Sequence, residues 1–388
     1  MSSAAAARPA AAPMLFGRQE IAGAVADVGI LIPIAAALII KNGLSASAVL
    51  LPAAILYIVV AFAFRLPIPV QPLKAFGAIA IASGLGANEI AAGSLLMGVI
   101  FLSLGAAGLI DWAGRAFPKP LIRGVQLTVG LLFLKIAWGL VWDAPKSFSD
   151  ASGDPLVLLA LALVVLAAAF ALRRHLASLL LVLLGLGIAL LRSGAQMKLG
   201  PSAMPLPQLS GAAFASALVV LVIPQLPLTF ANSCLATADA AKSYFGDAAA
   251  RVRPGRLAMT LGSVNLLAGA VAGMPVCHGA GGLTAHYKFG ARSGGAPLVM
   301  GGVLLLLALV FGAGMAVLLS AFPLPILAGL LAAAGLLHIG LLHDLEGPWQ
   351  WALALLIGAV GILLNLPVAL AAGLIIYWGL IFARRLRD

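Results

Sequence analysis

Residues 273–284 read GMPVCHGAGGLT, a glycine-rich break in a very apolar chain. Cys277, His278 and four glycines (Gly273, Gly279, Gly281 and Gly282) stand where a membrane helix would carry Leu or Val. Of the 388 residues, 63% are hydrophobic and 9% charged, and the mean hydropathy is +1.14. Soluble domains carry charge on about a quarter of their residues, so this chain cannot cover a globular surface. Lipid is its natural solvent. In lipid, a break in a helix is tolerated only where protein or a wet cavity satisfies the freed backbone groups. The break is therefore a candidate site.

Working outward, fourteen apolar segments can be drawn after residue 20. The expectation is an all-α membrane protein with fourteen spans. Two segments are odd, 69–86 and 275–287, the third and tenth in order. They open PVQPLK and PVCHGAGG, and each has only about a dozen helix-compatible residues left. At ~1.5 Å per residue such a helix cannot cross the ~30 Å hydrocarbon core alone. Each reads as a half-helix preceded by an extended piece.

The net charge is +11 and the pI 10.3. In a soluble protein that would suggest a nucleic-acid partner; here loop charge explains it and no nucleic acid is expected. With the N-terminus inside, Lys41, Lys146, Arg192 and Lys198 fall outside, Lys74 and Lys135 fall within segments, and the remaining 17 of 23 Lys and Arg fall on the inner face. This asymmetry puts both termini in the cytoplasm, in a plasma or inner membrane. Residues 1–20 lack an apolar run and read as a disordered tail rather than a signal peptide.

The chain also repeats itself. FPKPLIRGVQLTVGLL at 117–132 aligns with FPLPILAGLLAAAGLL at 322–337, at an offset of 205. The PVQ at Pro69 aligns with the PVC at Pro275, at an offset of 206. Half the chain then holds seven spans, an odd number, so the second half is inverted relative to the first. The expected organisation is a first repeat at 21–192, an external loop at 193–211, an inverted second repeat at 212–383 and a short tail at 384–388. In inverted-repeat transporters, short interrupted helices at matching places in the two halves mark the substrate site. Two helix N-termini meeting near the midplane offer free N–H groups and partial positive charge, which suits an anion.

Four stretches carry a family resemblance: DVGILIP at 27–33, PIPVQPLK at 67–74, PQLPLTFANS at 224–233 and MPVCHGAGGLTAHYKFGARSG at 274–294. They resemble the molybdate transporter family related to sulfate permeases, over essentially the whole chain after residue 20. The resemblance implies the seven-plus-seven inverted fold shared with sulfate permeases and nucleobase transporters, with core and gate domains, and import of molybdate or sulfate. Sulfate permeases usually carry a further cytoplasmic regulatory domain. The chain ends at Asp388, a few residues past the last span, which favours the molybdate branch.

Candidate site residues follow. Lys74 opens the third segment; an intramembrane cation is functional by default, its alternative being a snorkelling or structural lysine. Gln71 can donate to an oxyanion or tie down the break, and Ala75 lies in the same first turn. Gly279, Ala280, Gly281 and Gly282 let backbone approach a ligand closely. His278 is a candidate donor or proton carrier, or merely a cap, and Cys277 reads foremost as a small packing residue. In segment eight, Gln225, Thr229 and Asn232 can line the cavity, with interhelical hydrogen bonding as their alternative. Asp27 is a candidate proton-coupling carboxylate, or a partner for Lys74. Asn265 and Gln126 read as packing residues. The stretch HIGLLHDLE at 338–346 reads as a solvated loop, not a metal site. Neither a metal nor a cofactor is expected, and Cys234 with Cys277 gives no disulfide framework.

These observations favour a secondary transporter importing molybdate, with sulfate as a second candidate and proton symport as a candidate coupling. A sulfate or bicarbonate permease and an anion channel stay open as alternatives. A nucleobase carrier is disfavoured because 257–343 holds no Asp or Glu. An intramembrane enzyme built on Cys277 and His278 is disfavoured because no third residue orients them. A homodimer enters only by analogy with the fold.

Overall fold

The computed structural model describes residues 13–25, 28–143, 156–157, 159–164, 177–193 and 198–385. Asp27 lies outside the described residues, as do most of the expected sixth span and part of the 193–211 loop.

The first half carries α1 (Arg18–Ala24), α2 (Val28–Asn42), α3 (Ala46–Phe64), β1 (Gln71–Pro72), α4 (Lys74–Ser83), α5 (Ala87–Ala106), α6 (Ile110–Gly114), α7 (Lys119–Trp142) and α8 (Ala177–Ser193). The second half begins with one long helical segment, α9 (Gly211–Arg251), containing π-helical turns at Leu218–Val222 and Thr229–Ala236. It continues with α10 (Pro254–Ala270), β2 (Val276–Cys277), α11 (Ala280–Lys288), α12 (Gly295–Val310), α13 (Gly312–Ser320), α14 (Leu324–Gly340), α15 (Gly347–Leu363) and α16 (Leu366–Arg385). Among the described residues, six helices are long and apolar enough to cross a membrane, or seven if the bent pair α12–α13 is one span. The protein is an integral membrane protein.

The two odd segments take the form expected of them. Prolines at 67, 69, 72 and 275 fix φ and remove N–H donors, so the chain stays extended and pairs only briefly. β1 and β2 pair antiparallel, Gln71 opposite Cys277 and Pro72 opposite Val276. The Leu73 N–H extends the contact to the Pro275 carbonyl at 3.1 Å. Each strand then feeds a short helix, α4 of 10 residues and α11 of 9.

Small residues let the surrounding helices touch at their backbones, as membrane helices do in the absence of a hydrophobic drive between them. Gly98 and Gly105 of α5 meet Gly262 and Gly255 of α10, and Gly269, seven residues on from Gly262, packs on Ala91 and Leu95 of α5. A Cβ on Gly262 would stand 2.5 Å from the Leu102 nitrogen, and one on Gly105 would stand 2.7 Å from the Gly255 carbonyl. α3 packs against α12 in the same manner, with Gly294 against the Ala61 carbonyl and Gly301 against Ala54. Between α7 and α14 the contact is reciprocal: a Cβ on Gly130 or on Gly335 would lie 2.7 Å from the other's carbonyl oxygen. These two glycines occupy matching places in the sequence repeat.

Two expectations need correction. Residues 13–20 are part of the packed structure rather than a disordered tail. The Leu15 N–H donates to Ser293 Oγ at 2.9 Å, and Glu20 is buried, accepting the Arg292 N–H at 2.8 Å and the Ala296 N–H at 3.2 Å. Ala296 lies in the first turn of α12, where donors lack intrahelical partners, so a carboxylate there satisfies groups that would otherwise be buried alone. His338 lies inside α14, not in a solvated loop. It is buried, its Nδ1 lies 2.9 Å from the Ala334 carbonyl, and its ring meets Phe133 edge-on at 5.7 Å. His343 and Asp344 do belong to the short 3-10 turn that follows (Leu341–Asp344).

Candidate functional site

The paired strands bring the starts of α4 and α11 together, and with them four of the residues singled out in the sequence. Lys74, 8% exposed, donates from Nζ to Gln71 Oε1 at 2.6 Å. That same oxygen lies 2.6 Å from where a Cβ on Gly279 would stand, and Asn232 Nδ2 lies 3.3 Å from it. Gly279 is the residue before α11 and carries no side chain because Gln71 fills the space. Lys74 and Gln71 of the first half of the chain thus meet Gly279 of the second, with Asn232 of α9 beside them.

The first turn of α11 is the open part of this cluster. Gly281 is exposed, and a Cβ there would meet nothing within 4 Å. Ala280 is half-buried and Gly282 buried. The first N–H groups of a helix have no intrahelical acceptor, so this turn carries such donors beside the exposed Gly281. Thr284 lies one turn on; its hydroxyl donates to the Ala280 carbonyl at 2.9 Å and lies 3.0 Å from Tyr244 Oη. Tyr244 stacks on Tyr287 with ring centroids 4.5 Å apart, and Arg292 covers the Tyr287 ring at 3.9 Å. This aromatic stack braces the far end of α11 against α9.

The first turn of α4 is more closed. Ala75 is buried, and the Phe76 N–H donates to Gln225 Oε1 at 3.0 Å. Gln225 Nε2 donates to Thr229 Oγ1 at 3.0 Å. The Gln225 and Thr229 side chains, for which cavity lining and interhelical hydrogen bonding were the two readings, bind protein here. Asn232, one π-helical turn further along, reaches the cluster itself; its carbonyl accepts the Thr237 hydroxyl at 2.7 Å. Such π turns re-aim side chains within a continuous helix and recur at functional sites.

His278 and Cys277 face the strand pair. His278 is fully buried, with Nδ1 3.0 Å from the Pro69 carbonyl and Nε2 3.0 Å from Thr260 Oγ1. Both ring nitrogens are engaged, so the histidine ties the two extended segments to α10. Cys277 Sγ is buried 3.6 Å from the Pro72 carbonyl, a packing position. Asn265 does more than pack: its amide donates to the Val276 carbonyl at 2.9 Å and accepts the Val276 N–H at 2.8 Å. It stands in for a third strand at the outer edge of β2. Gln126, expected in packing, accepts from Arg123 at 2.8 Å.

Sequence gave no signal for the ion pairs at one end of α7. Arg123 holds Asp344 through Nε at 2.8 Å and a second guanidinium nitrogen at 2.5 Å, while Lys119 reaches Asp344 at 3.7 Å and Glu346 at 3.6 Å. Arg123 and Asp344 lie 221 residues apart, and no local pattern joins them.

A family model described as "Molybdate transporter of MFS superfamily" matches residues 19–133 and 217–337. The chain belongs to this molybdate transporter family. The two matched blocks contain the strand pair, α4, α11 and the whole cluster around Lys74 and Gly279. Molybdate transporter 1 of Arabidopsis thaliana is 30% identical, over 92% of this chain and 87% of its own length. Molybdate transporter 2 of the same plant is 30% identical over 82% and 77%. Molybdate transporter 1 of Chlamydomonas reinhardtii is 29% identical over 87% and 86%. In fold, the chain is similar to the transmembrane domain of the cyanobacterial bicarbonate transporter BicA, with a TM-score of 0.64 and 20% identity over 93% of this chain and 98% of that one. Murine Slc26a9, an anion transporter solved in the inward-facing state, gives a TM-score of 0.68 at 14% identity, over 94% of this chain and 68% of that one. The fold of this molybdate transporter family member is thus similar to that of solved anion transporters, although the family description names the MFS superfamily.

Proposed function

We propose that the protein imports molybdate by alternating access, binding the dianion between the first turns of α4 and α11. The observation that carries this reading is the convergence of Lys74 with the open, glycine-built first turn of α11. A buried cation and a row of free N–H groups together supply what a tetrahedral dianion requires. Lys74 Nζ, which donates to Gln71 Oε1, would also donate to the anion. Asn232 and Gln71 would donate to the remaining oxygens, and Gly279, Ala280, Gly281 and Gly282 would approach with backbone alone.

The same reading takes the fold as fourteen spans in two inverted sevens. The antiparallel β1–β2 pair and the reciprocal Gly130–Gly335 contact support it, because each joins matching places in the two halves. The core would comprise α2 to α5 and α9 to α13, and the gate α7, α8, α14, α15 and α16, moving against each other around the site. Both termini would lie in the cytoplasm and the protein in the plasma or inner membrane. Asp27 remains the proposed proton-coupling group; His278 is less suited, since both its nitrogens bind protein.

Sulfate is the natural second substrate, and the fold shared with a bicarbonate transporter keeps bicarbonate as the alternative. The test is uptake of molybdate into proteoliposomes, with excess sulfate or bicarbonate as competitor and the outside pH stepped. Saturable uptake that resists both competitors and rises at acid pH supports a selective, proton-coupled molybdate importer. Uptake abolished by sulfate assigns a general oxyanion permease, and no uptake by folded protein overturns the substrate assignment.

A further inference from the structure

Gln225 is 1% exposed and lies in α9 between its two π-helical turns. Chemistry fixes how its amide is turned. The Phe76 backbone N–H can only donate, so the side-chain atom 3.0 Å away is the carbonyl oxygen. The Thr229 hydroxyl donates its one proton to the Gln225 backbone carbonyl at 3.2 Å, so it accepts from Gln225 Nε2 at 3.0 Å. Phe76 is the third residue of α4, and its N–H is one of the free donors at the positive end of that helix. Gln225 therefore takes up a donor that points at the site, and it does so without bringing a charge.

We propose that Gln225 is a positioning residue that anchors the first turn of α4 and, by its neutrality, leaves the charge of Lys74 available to an anion. This rests on the oxyanion reading of the site. A carboxylate of the same shape would accept the same Phe76 N–H. It would also set a negative charge against the same first turn that carries Lys74, two residues before Phe76 in sequence, and offset the cation that attracts the substrate. Lys74 is the charged residue that α4 brings to this neighbourhood. α7 also packs on this stretch, but its Lys119 and Arg123 turn to Asp344 and its Lys135 is exposed. From α16, Tyr377 stacks on Trp349 instead. The neutrality of this one side chain thus leaves the Lys74 charge unopposed from α9.

The experiment compares wild type, Gln225→Glu and Gln225→Met in proteoliposome uptake of molybdate from pH 5 to 8, with thermal unfolding in detergent to confirm folding. For Gln225→Glu, the expected result at high pH is a KM raised on the order of tenfold or more over wild type. The difference should close as pH falls, because a protonated carboxyl accepts from Phe76 and donates to Thr229 as the amide does. Gln225→Met removes both bonds without adding charge, so its defect should stay parallel to the wild-type pH profile. Equal KM values for Gln225→Glu and wild type across the range would overturn the proposal. So would identical pH profiles for the two variants, which would reduce Gln225 to packing. If wild type transports no molybdate, the assignment above fails by itself, and the same comparison is made with sulfate and bicarbonate. An unchanged KM in Gln225→Glu for either anion, or no wild-type transport of any of the three, overturns this inference too.

Discussion

Gly279 is a residue at which the two halves of the chain meet at the site. A methyl group there would press on Gln71 Oε1 at 2.6 Å and displace the partner of Lys74. Gly279→Ala is therefore expected to fold but to lose most transport, read as uptake by protein whose melting temperature stays near that of wild type. Gly281→Ala makes the complementary case. Its methyl would meet nothing within 4 Å, so stability should be unchanged. If that open space receives the anion, KM for molybdate should rise by about tenfold, since the methyl blocks backbone approach. Lys74→Met should raise KM by at least about tenfold with little loss of fold, because removing one partner of a buried charged contact removes its attraction entirely. Lys74, Gln71 and Gly279 were legible in the sequence because charge, polarity and glycine are costly in lipid and stand out there. The division of labour in α9 was not. Gln225, Thr229 and Asn232 look alike as polar residues in an apolar run, and only the π turns decide which of them reaches the cluster.

At the scale of elements, the strand pair is held from outside by Asn265, which closes both hydrogen bonds of Val276. Asn265→Leu leaves a buried N–H and C=O unmet, at a cost of roughly 1–3 kcal/mol each. The measurement is thermal unfolding in detergent, where the variant should melt clearly below wild type. The α7–α14 crossing is equally sensitive: Gly335→Ala puts a methyl 2.7 Å from the Gly130 carbonyl and should cost about 1–3 kcal/mol through overpacking. The two short helices could be read from sequence because their prolines and glycines leave too few residues to span the hydrocarbon. The glycine seam between α5 and α10 could not, since 44 glycines dilute any spacing of seven. The solvated loop expected at 338–346 failed at His338 for a related reason. A histidine near a helix end looks polar in sequence, whereas here an i−4 carbonyl and the Phe133 edge accommodate it inside α14.

At the scale of the whole molecule, the chain belongs to a family of molybdate transporters, and the proposal is that two related halves bring their helix starts to one site. The internal offset of about 205 residues is what suggested this organisation in the sequence; the Arg123–Asp344 pair, joined only by tertiary folding, was invisible. The most direct test is to locate the anion. Diffraction from crystals grown in saturating molybdate, collected on both sides of the molybdenum absorption edge, gives the metal position without reference to any side chain. The account expects one anomalous peak beside the first turn of α11, within hydrogen-bonding reach of the Ala280–Gly282 N–H groups and of Lys74 Nζ. A peak elsewhere, or none at saturation in well-diffracting crystals, would contradict it.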